Sequence, residues 1–329
     1  MHRSPSRVLR FVPLAMFVMS ILPARAQQSV VQLPDFTVTE NDGVRIDVHH
    51  KAGPAPNKVP VLLIHGSWGN AQTWDFPGRS VMDYLAVRGY DVYAPDLRGM
   101  GSSDNPGYLL DGLLNRVNDV AAVASYIKTT TLRVPVVMGW SQGGIIAGLL
   151  AASDPNRQLV AGVGLLSVSA DGFNVPNDLL SALGALLSGF PVANPPTPGQ
   201  INEIIFGTDP ITGKPTISPD AFAIFVSASF LQTDSAVAIV QEVNFCSNFL
   251  NILVTACPVP TWGNITVPAL VVDGALDLLV GEDRAQALFN ALGSTNKQLV
   301  IYPRNSHGWF LEDNHDATMR VFDRFLSQF

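Results

Sequence analysis

The chain has 329 residues, of which 47% are hydrophobic and 14% charged, a composition that can bury a large core and that excludes compositional disorder. Its 27 acidic and 20 basic residues give a formal net charge of −7, which argues against nucleic acid as a partner. The length fits one large domain, or a core domain with a second one inserted.

The first 26 residues have the order of a secretory signal peptide. Basic residues at the start are followed by an apolar run over residues 11–22 and by Ala24-Arg25-Ala26. The run is shorter than the roughly 20 residues that span a bilayer. We therefore predict cleavage after Ala26 and a soluble, secreted or periplasmic protein with no stable membrane insertion. Four of the 20 basic residues and no acidic ones lie in this leader, so its removal changes the formal charge from −7 to −11.

Cys246 and Cys257 are the two cysteines of the chain. An even count in an exported protein predicts one disulfide. Closing so short a loop would stabilise the fold by about 2–3 kcal/mol. Neither cysteine has a neighbouring histidine, so no zinc site is predicted.

Apolar runs and helical spacings alternate along most of the chain. Strands are predicted at residues 36–39, 45–49, 59–64, 91–94, 134–138, 159–168, 269–272 and 298–302, and helices at 79–88, 113–128, 143–152, 281–292 and 314–326. Asp42-Gly43 favours a tight hairpin between the first two strands. The later alternation predicts a mostly parallel sheet with helices on both faces.

Residues 170–265 interrupt this alternation and are rich in Pro, Ser, Leu, Phe and Ala. The stretch is too long for a connecting loop in a compact domain. We predict an inserted, mainly helical cap, with helices at 179–187 and 221–230, that divides the core into residues 27–169 and 266–329. Its apolar residues favour an apolar substrate cleft, or alternatively form the core of the cap itself.

The motif G-x-S-x-G occurs as Gly139-Trp140-Ser141-Gln142-Gly143, between a predicted strand and a predicted helix. The pattern alone is weak, but a serine at such a turn is held with its hydroxyl exposed, and the helix N-terminus favours negative charge. We predict Ser141 as a nucleophile; the alternative is a tight turn with a solvated serine.

A serine hydroxyl needs a base, and the base needs an acid that orients it. His307 lies on the loop between the last predicted strand and helix, whereas the other histidines fall in the leader, on the early hairpin, after strand 59–64, or in the last helix. Asp277, on the loop after strand 269–272, is the favoured acid. Asp273 is expected to make structural hydrogen bonds, and Asp171 is a third possibility.

The turn His65-Gly66-Ser67-Trp68-Gly69 follows the first long apolar strand. The amides of Ser67 and Gln142 are predicted to form an oxyanion hole, in which each donor is typically worth about 10²–10³ in rate. Trp68 and Trp140, next to these positions, are predicted to contact the substrate. The alternative is an ordinary glycine turn with Trp68 in the core.

In their order, these motifs resemble the α/β-hydrolase superfamily, specifically its capped, esterase- or lipase-like serine hydrolases with a signal peptide. The resemblance covers nearly all of residues 31–329. The matching features are His65-Gly66, residues 96–103, the turn at Ser141, Gly274 with Asp277, and His307. It implies a central, mostly parallel sheet flanked by helices, and a catalytic triad of Ser141, His307 and Asp277.

The resemblance also implies hydrolysis of a carboxylic ester or lactone through an acyl-enzyme, without metal or cofactor, on a small to medium apolar substrate. Haloalkane dehalogenases and epoxide hydrolases of the same fold carry an aspartate where this chain has Ser141, which argues against their chemistry. C–C bond hydrolysis, cofactor-free haloperoxidase activity, amide hydrolysis, interfacial lipase activity and a non-catalytic ligand-binding role stay open. Asn264 begins a glycosylation sequon that matters only in a eukaryotic host.

Overall fold

The computed structural model describes residues 30–107, 112–172, 202–228 and 258–329. The predicted leader, both cysteines and the first predicted cap helix lie outside these residues, so cleavage, the disulfide and the extent of the cap stay predictions.

The described strands form one sheet, in the order β1-β3-β5-β4-β6-β7-β8-β9, with β2 paired to β3. They are β1 (Val31–Gln32), β2 (Phe36–Thr39), β3 (Arg45–Ala52), β4 (Pro60–Ile64), β5 (Asp91–Pro95), β6 (Val136–Trp140), β7 (Gly162–Leu166), β8 (Ala269–Gly274) and β9 (Lys297–Tyr302). From β5 to β9 all neighbours are parallel, whereas β3 pairs antiparallel with β1, β2 and β5. The predicted α/β-hydrolase-like fold class is confirmed.

Helices cover both faces of the sheet. The described α-helices are α1 (Val81–Ala86), α2 (Leu113–Thr131), α3 (Gln142–Ser153), α4 (Pro219–Ala228), α5 (Gly281–Ala291), α6 (His315–Thr318) and α7 (Arg320–Leu326). Side chains alternate along β4, so Leu62 faces a core shared with α2, α3 and α5, and Leu63 faces a core shared with α1, α4 and α7. Every residue of β4 is buried, as expected of a strand covered on both faces.

Among the boundaries that differ from the sequence prediction are those of β6, β7 and the last helix. Strand β6 continues to Trp140 and helix α3 begins at Gln142, so Ser141 alone separates them. Strand β7 is confined to Gly162–Leu166 within the predicted 159–168. The predicted last helix is two short helices, because Met319 separates α6 from α7. The difference at β6 matters most, since the chain passes from strand to helix through the single residue Ser141.

Residues 202–228, the largest described part of the predicted cap, lie against the end of the chain. Phe206 and Phe225 are fully buried in the core that also contains Phe310. The Gly308 N–H donates to the Ile205 carbonyl at 3.0 Å. This segment therefore packs on the loop that carries His307. None of the described helices is long and apolar enough to cross a membrane.

Candidate active site

Ser141 occupies a strained turn between β6 and α3. Its backbone angles are φ 55° and ψ −121°, in the left-handed half of conformational space that side-chain-bearing residues seldom adopt. The Ser141 N–H donates to the Leu166 carbonyl of β7 at 2.8 Å. A Cβ on Gly143 would lie 2.4 Å from the carbonyl oxygens of Ile64 and His65, so α3 starts in close contact with the end of β4. The motif glycine is thus needed for packing.

His307 and Asp277 form a buried pair. Nδ1 of His307 lies 2.7 Å from Oδ2 of Asp277, and both residues are less than a tenth exposed. The N–H groups of Leu279 and Val280 donate to Oδ1 of Asp277 at 2.7 and 3.1 Å. Burial opposes ionisation of Asp277, but the His307 ring and these hydrogen bonds hold its pKa below the usual value. Asp277 is therefore a carboxylate, as orienting His307 requires.

Two side chains fix the backbone of His307. The Trp140 indole N–H and the Ser167 hydroxyl donate to the His307 carbonyl at 2.8 and 2.9 Å. These donors come from the ends of β6 and β7, next to Ser141. Trp140 is only 2% exposed and does not line the cavity described next, so its predicted contact with substrate stays a prediction. What the structure shows for this tryptophan is support of the histidine loop.

Ser141 and His307 line one cavity of about 70 Å³. Its remaining described lining is mostly apolar or small: Ile145, Ser167, Val168, Ser169, Gly172, Leu279 and Val280. An apolar site with a few convergent polar groups is typical of ligand-binding sites in enzymes. The structure thus brings together the predicted nucleophile, base and acid.

The predicted oxyanion donors flank Ser141. A Cβ on Gly66 would lie 3.3 Å from Cβ of Ser141, so the turn that carries Ser67 passes beside the serine. Gln142 is the first residue of α3, and its Oε1 accepts a 2.7 Å hydrogen bond from the fully buried Arg116. Sequence reasoning missed Arg116, because nothing in its helix signals a partner 26 residues away. Trp68 is half-buried and packs against the apolar core, as the alternative reading of this turn expects.

The two other candidate acids occupy different surroundings. Asp171 forms a 2.6 Å ion pair with Arg284. Asp273, at the end of β8, is fully buried, and no described donor makes a hydrogen bond of normal geometry to its carboxylate oxygens. The Gly274 N–H and the Ser167 hydroxyl lie near this carboxyl group without normal hydrogen-bond geometry, so the structural hydrogen bonds expected of Asp273 stay a prediction. The N–H groups of Leu279 and Val280, in the turn that follows, donate to Asp277.

Two buried titratable groups lie beside the site; sequence reasoning placed His65 in a turn without assigning it a role and missed Glu312. Glu312 accepts hydrogen bonds from the Ser306 N–H at 2.9 Å and from the Asn305 amide at 2.6 Å, and burial raises the pKa of Glu312 to about 7. His65 donates from Nδ1 to the Gly66 carbonyl and accepts at Nε2 from the Leu97 N–H, and burial lowers the pKa of His65 to about 3. Both groups hold loops that border Ser141 and His307.

A possible metal-ligand cluster lies elsewhere in the described residues. Asp35, Asp47 and His49 place one ligand atom each within 4.8 Å of one another, on and beside strand β3. All three are at least partly exposed, and none of them lines the cavity at Ser141.

A serine on a strand-to-helix turn, a buried histidine–aspartate pair and a parallel sheet between two helical layers define the α/β-hydrolase class. The family model described as the alpha/beta hydrolase family matches residues 61–321, and the chain belongs to this family.

Curated relatives of different activity match parts of the chain. A haloalkane dehalogenase of Psychrobacter cryohalolentis is 29% identical over 133 residues, which are 38% of this chain and 42% of that protein. A non-heme chloroperoxidase of Streptomyces lividans is 35% identical over 124 residues, 37% of this chain and 41% of that protein. The chain therefore spans about two fifths of the length of these relatives.

Solved structures match over nearly the whole chain. A thermophilic esterase from Thermogutta terrifontis has a TM-score of 0.68 at 16% identity, with coverage of 90% of this chain and 99% of the other. The enol-lactonase from Burkholderia xenovorans has a TM-score of 0.65 at 19% identity, with coverage of 89% and 100%. At these identities the likeness is one of fold.

Proposed function

We propose that this protein is a secreted serine hydrolase that cleaves a carboxylic ester or lactone through an acyl-enzyme. The observation that carries the proposal is the 2.7 Å hydrogen bond between His307 and Asp277, buried beside a cavity that Ser141 also lines. A histidine held by a carboxylate next to a strained, partly exposed serine is the arrangement that activates a hydroxyl.

In the proposed reaction Ser141 attacks the substrate carbonyl while His307 takes the hydroxyl proton through Nε2. Asp277 keeps Nδ1 protonated and stabilises the imidazolium that forms. The proton passes to the leaving alcohol, and the acyl group stays on Ser141. Water then attacks the acyl-enzyme with His307 again as base, which releases the acid and restores the serine. A lactone follows the same steps, with the leaving alcohol tethered to the acyl group.

The negative charge of the tetrahedral intermediate is proposed to be bound by the amides of Ser67 and Gln142. The close approach of Gly66 to Ser141 supports the first donor, and the position of Gln142 at the N-terminus of α3, where backbone N–H groups favour an anion, supports the second. The 2.7 Å bond from Arg116 to the Gln142 side chain would hold this residue in place. Each donor is expected to contribute about 10²–10³ in rate.

The described cavity favours a small acyl group. Its volume of about 70 Å³ has room for about five to seven waters, at roughly 10–15 Å³ each on this measure. Ile145, Val168 and Leu279 supply apolar walls. We expect esters of acetate and butyrate to be cleaved faster than a palmitate ester.

Secretion, the cap and the disulfide are part of the proposal. The leader over residues 1–26 supports export, and export favours a bond between Cys246 and Cys257. Mass spectrometry of the secreted protein, before and after reduction, tests both points. An N-terminus upstream of residue 27, or two alkylatable thiols without reduction, would contradict them.

The decisive experiment is hydrolysis of p-nitrophenyl acetate, butyrate and palmitate by the mature protein and its variants. Ser141→Ala and His307→Ala should leave less than a tenth of the wild-type rate. Asp277→Asn should lower kcat by about 10³–10⁴, because it stabilises the wrong imidazole tautomer. Asp171→Asn is the matched control, since Asp171 is paired with Arg284, and it should stay within a few-fold of wild type.

Labelling with a fluorophosphonate probe separates chemistry from substrate choice. A folded protein that labels at Ser141 but cleaves none of the three esters would shift the proposal to another acyl substrate or to ligand binding. A protein that does not label at Ser141 would overturn the nucleophile itself.

A second candidate activity is formation of a peracid from a carboxylic acid and hydrogen peroxide. The chloroperoxidase relative from Streptomyces lividans motivates it, at 35% identity over 37% of this chain. The same acyl-enzyme would be intercepted by peroxide instead of water. The peracid would oxidise added bromide to the halogenating species, so bromination of monochlorodimedone that requires acetate, peroxide, bromide and Ser141 supports this activity. Absence of halogenation from an enzyme that hydrolyses esters rejects it.

A further inference from the structure

A second buried carboxyl group lies behind the histidine–aspartate pair. Asp273 is the fifth residue of β8, four residues before Asp277, and has no exposed surface. The Asp277 N–H donates to the Gly274 carbonyl at 3.0 Å, so a tight turn joins the two acids, and their carboxyl groups interact. The proposed hydrolytic mechanism makes no use of Asp273, yet an ionisable group at this place acts on the acid that orients His307.

Hydrogen-bond donors are distributed unequally between the two acids. Asp277 receives the Leu279 and Val280 N–H groups and the His307 ring. Among the described residues, no donor meets normal hydrogen-bond geometry toward either oxygen of Asp273, although the Gly274 N–H and the Ser167 hydroxyl lie near its carboxyl group. The nearby Ser167 hydroxyl donates instead to the His307 carbonyl. Asp277 therefore has the partners that a buried carboxylate needs, and Asp273 does not.

Two adjacent buried carboxyl groups do not both ionise, because two negative charges side by side repel strongly in a low-dielectric surrounding. The charge therefore stays on Asp277, where His307 also faces it. Burial, followed by the charge of Asp277, raises the pKa of Asp273 to about 10. A neutral Asp273 has one O–H donor, and the neighbouring Asp277 carboxylate, with about four lone-pair sites and three donors, can still accept it.

We propose that Asp273 is a positioning residue that is kept as a neutral acid and donates its proton in a hydrogen bond to the Asp277 carboxylate. The inference rests on the proposed function, in which Asp277 orients His307. It extends the pair to a chain of three residues, Asp273, Asp277 and His307. The added donor fixes the rotamer of Asp277 and withdraws part of its charge, so that the histidine stays a moderate base.

Two variants separate the neutral donor from other roles. Asp273→Asn keeps a neutral donor of the same shape, whereas Asp273→Ala removes the donor. We expect Asp273→Asn to keep kcat for p-nitrophenyl acetate within about threefold of wild type, with the acid limb of its pH profile unmoved. We expect Asp273→Ala to lose about tenfold or more in kcat and its acid limb to move to higher pH. The move follows because an Asp277 without this donor holds the imidazolium more tightly.

Two kinetic outcomes would overturn the proposal. If Asp273→Ala has the wild-type rate and pH profile, the residue positions nothing. If Asp273→Asn moves the acid limb to lower pH by about one unit, the wild-type residue carries a charge that the variant has removed.

A second readout needs no substrate and therefore separates failure of this proposal from failure of the proposed hydrolase activity. The folded protein keeps a proton on Asp273 that the unfolded chain releases above about pH 4, so raising the pH destabilises the wild type. Asp273→Asn has no such proton to lose. As the pH rises from about 5 to 9, the folding equilibrium constant of Asp273→Asn, divided by that of the wild type, should therefore increase about tenfold per pH unit.

Urea unfolding of the wild type and Asp273→Asn at several pH values measures this ratio. A difference in stability that does not change with pH would refute the neutral acid, whatever the enzyme hydrolyses. Infrared difference spectra of the same two proteins provide a direct check, since the neutral acid has a carbonyl stretch that a carboxylate lacks. Failure to find that band at pH 7 would also overturn the proposal.

Discussion

The turn at Ser141 stores backbone strain that can be measured apart from catalysis. At φ 55° and ψ −121° a residue with a Cβ is strained by about 1–3 kcal/mol, whereas glycine is not. Ser141→Gly and Ser141→Ala both remove the nucleophile, so neither should turn over substrate. They differ in the Cβ, and hence in the strain.

The expected difference follows from two opposing terms. Removing the Cβ relieves about 1–3 kcal/mol of strain, and the greater freedom of glycine in the unfolded chain offsets about 0.4–1 kcal/mol of this. Ser141→Gly should therefore be more stable than Ser141→Ala by about 1 kcal/mol. For a domain of this size that corresponds to a rise in Tm of about 2 °C.

Urea unfolding followed by tryptophan fluorescence at pH 7 is a suitable assay, with equal m-values as the condition for comparing midpoints. At an unstrained position alanine is the more stabilising of the two residues, because it restricts the unfolded chain more than glycine does. If Ser141→Ala proves the more stable variant, the turn is unstrained, and backbone strain does not hold the nucleophile in position.

Two further predictions concern groups that support the site. Burial raises the pKa of Glu312 to about 7, above its value in the unfolded chain, so stability present at pH 4.5 is lost as the pH rises to 7. The free energy of unfolding of the wild type should fall by about 3 kcal/mol over this range. Urea midpoints of Glu312→Gln should not show this fall, and a pH dependence of the midpoint that is the same in both proteins would contradict the prediction. Gly143→Ala would place a Cβ 2.4 Å from two backbone oxygens, so we expect about 1–3 kcal/mol of destabilisation and at least a tenfold loss of kcat. Wild-type activity and Tm in Gly143→Ala would show that α3 can shift without disturbing Ser141.

Local patterns were sufficient for much of the fold and for the nucleophile. The apolar runs at β4, β6 and β8 predicted buried parallel strands, because a strand covered by helices on both faces needs apolar residues at every position. The G-x-S-x-G motif marked a turn whose glycine is required by contacts with the end of β4. Such features depend on residues within one element and its immediate turns.

The supporting contacts of the site could not be read in this way. Trp140 was interpreted as a substrate contact, whereas its indole donates to the carbonyl of His307, 167 residues further along the chain. Asp273 and Asp277 are both acids on one strand end, and their sequence spacing does not reveal which one receives the hydrogen bonds. Glu312 lies five residues after His307, yet only folding places it against the Ser306 N–H.

The sequence by itself determined the order of strands and helices, the place of Ser141 and the loops that carry His307 and Asp277. These follow from hydrophobic periodicity and turn chemistry, which act over a few residues. The tertiary structure alone decided which buried polar groups are partnered, because each donor or acceptor must find its counterpart among atoms brought together from distant parts of the chain. For this protein, that choice leaves Asp277 charged beside His307 and Asp273 buried behind it.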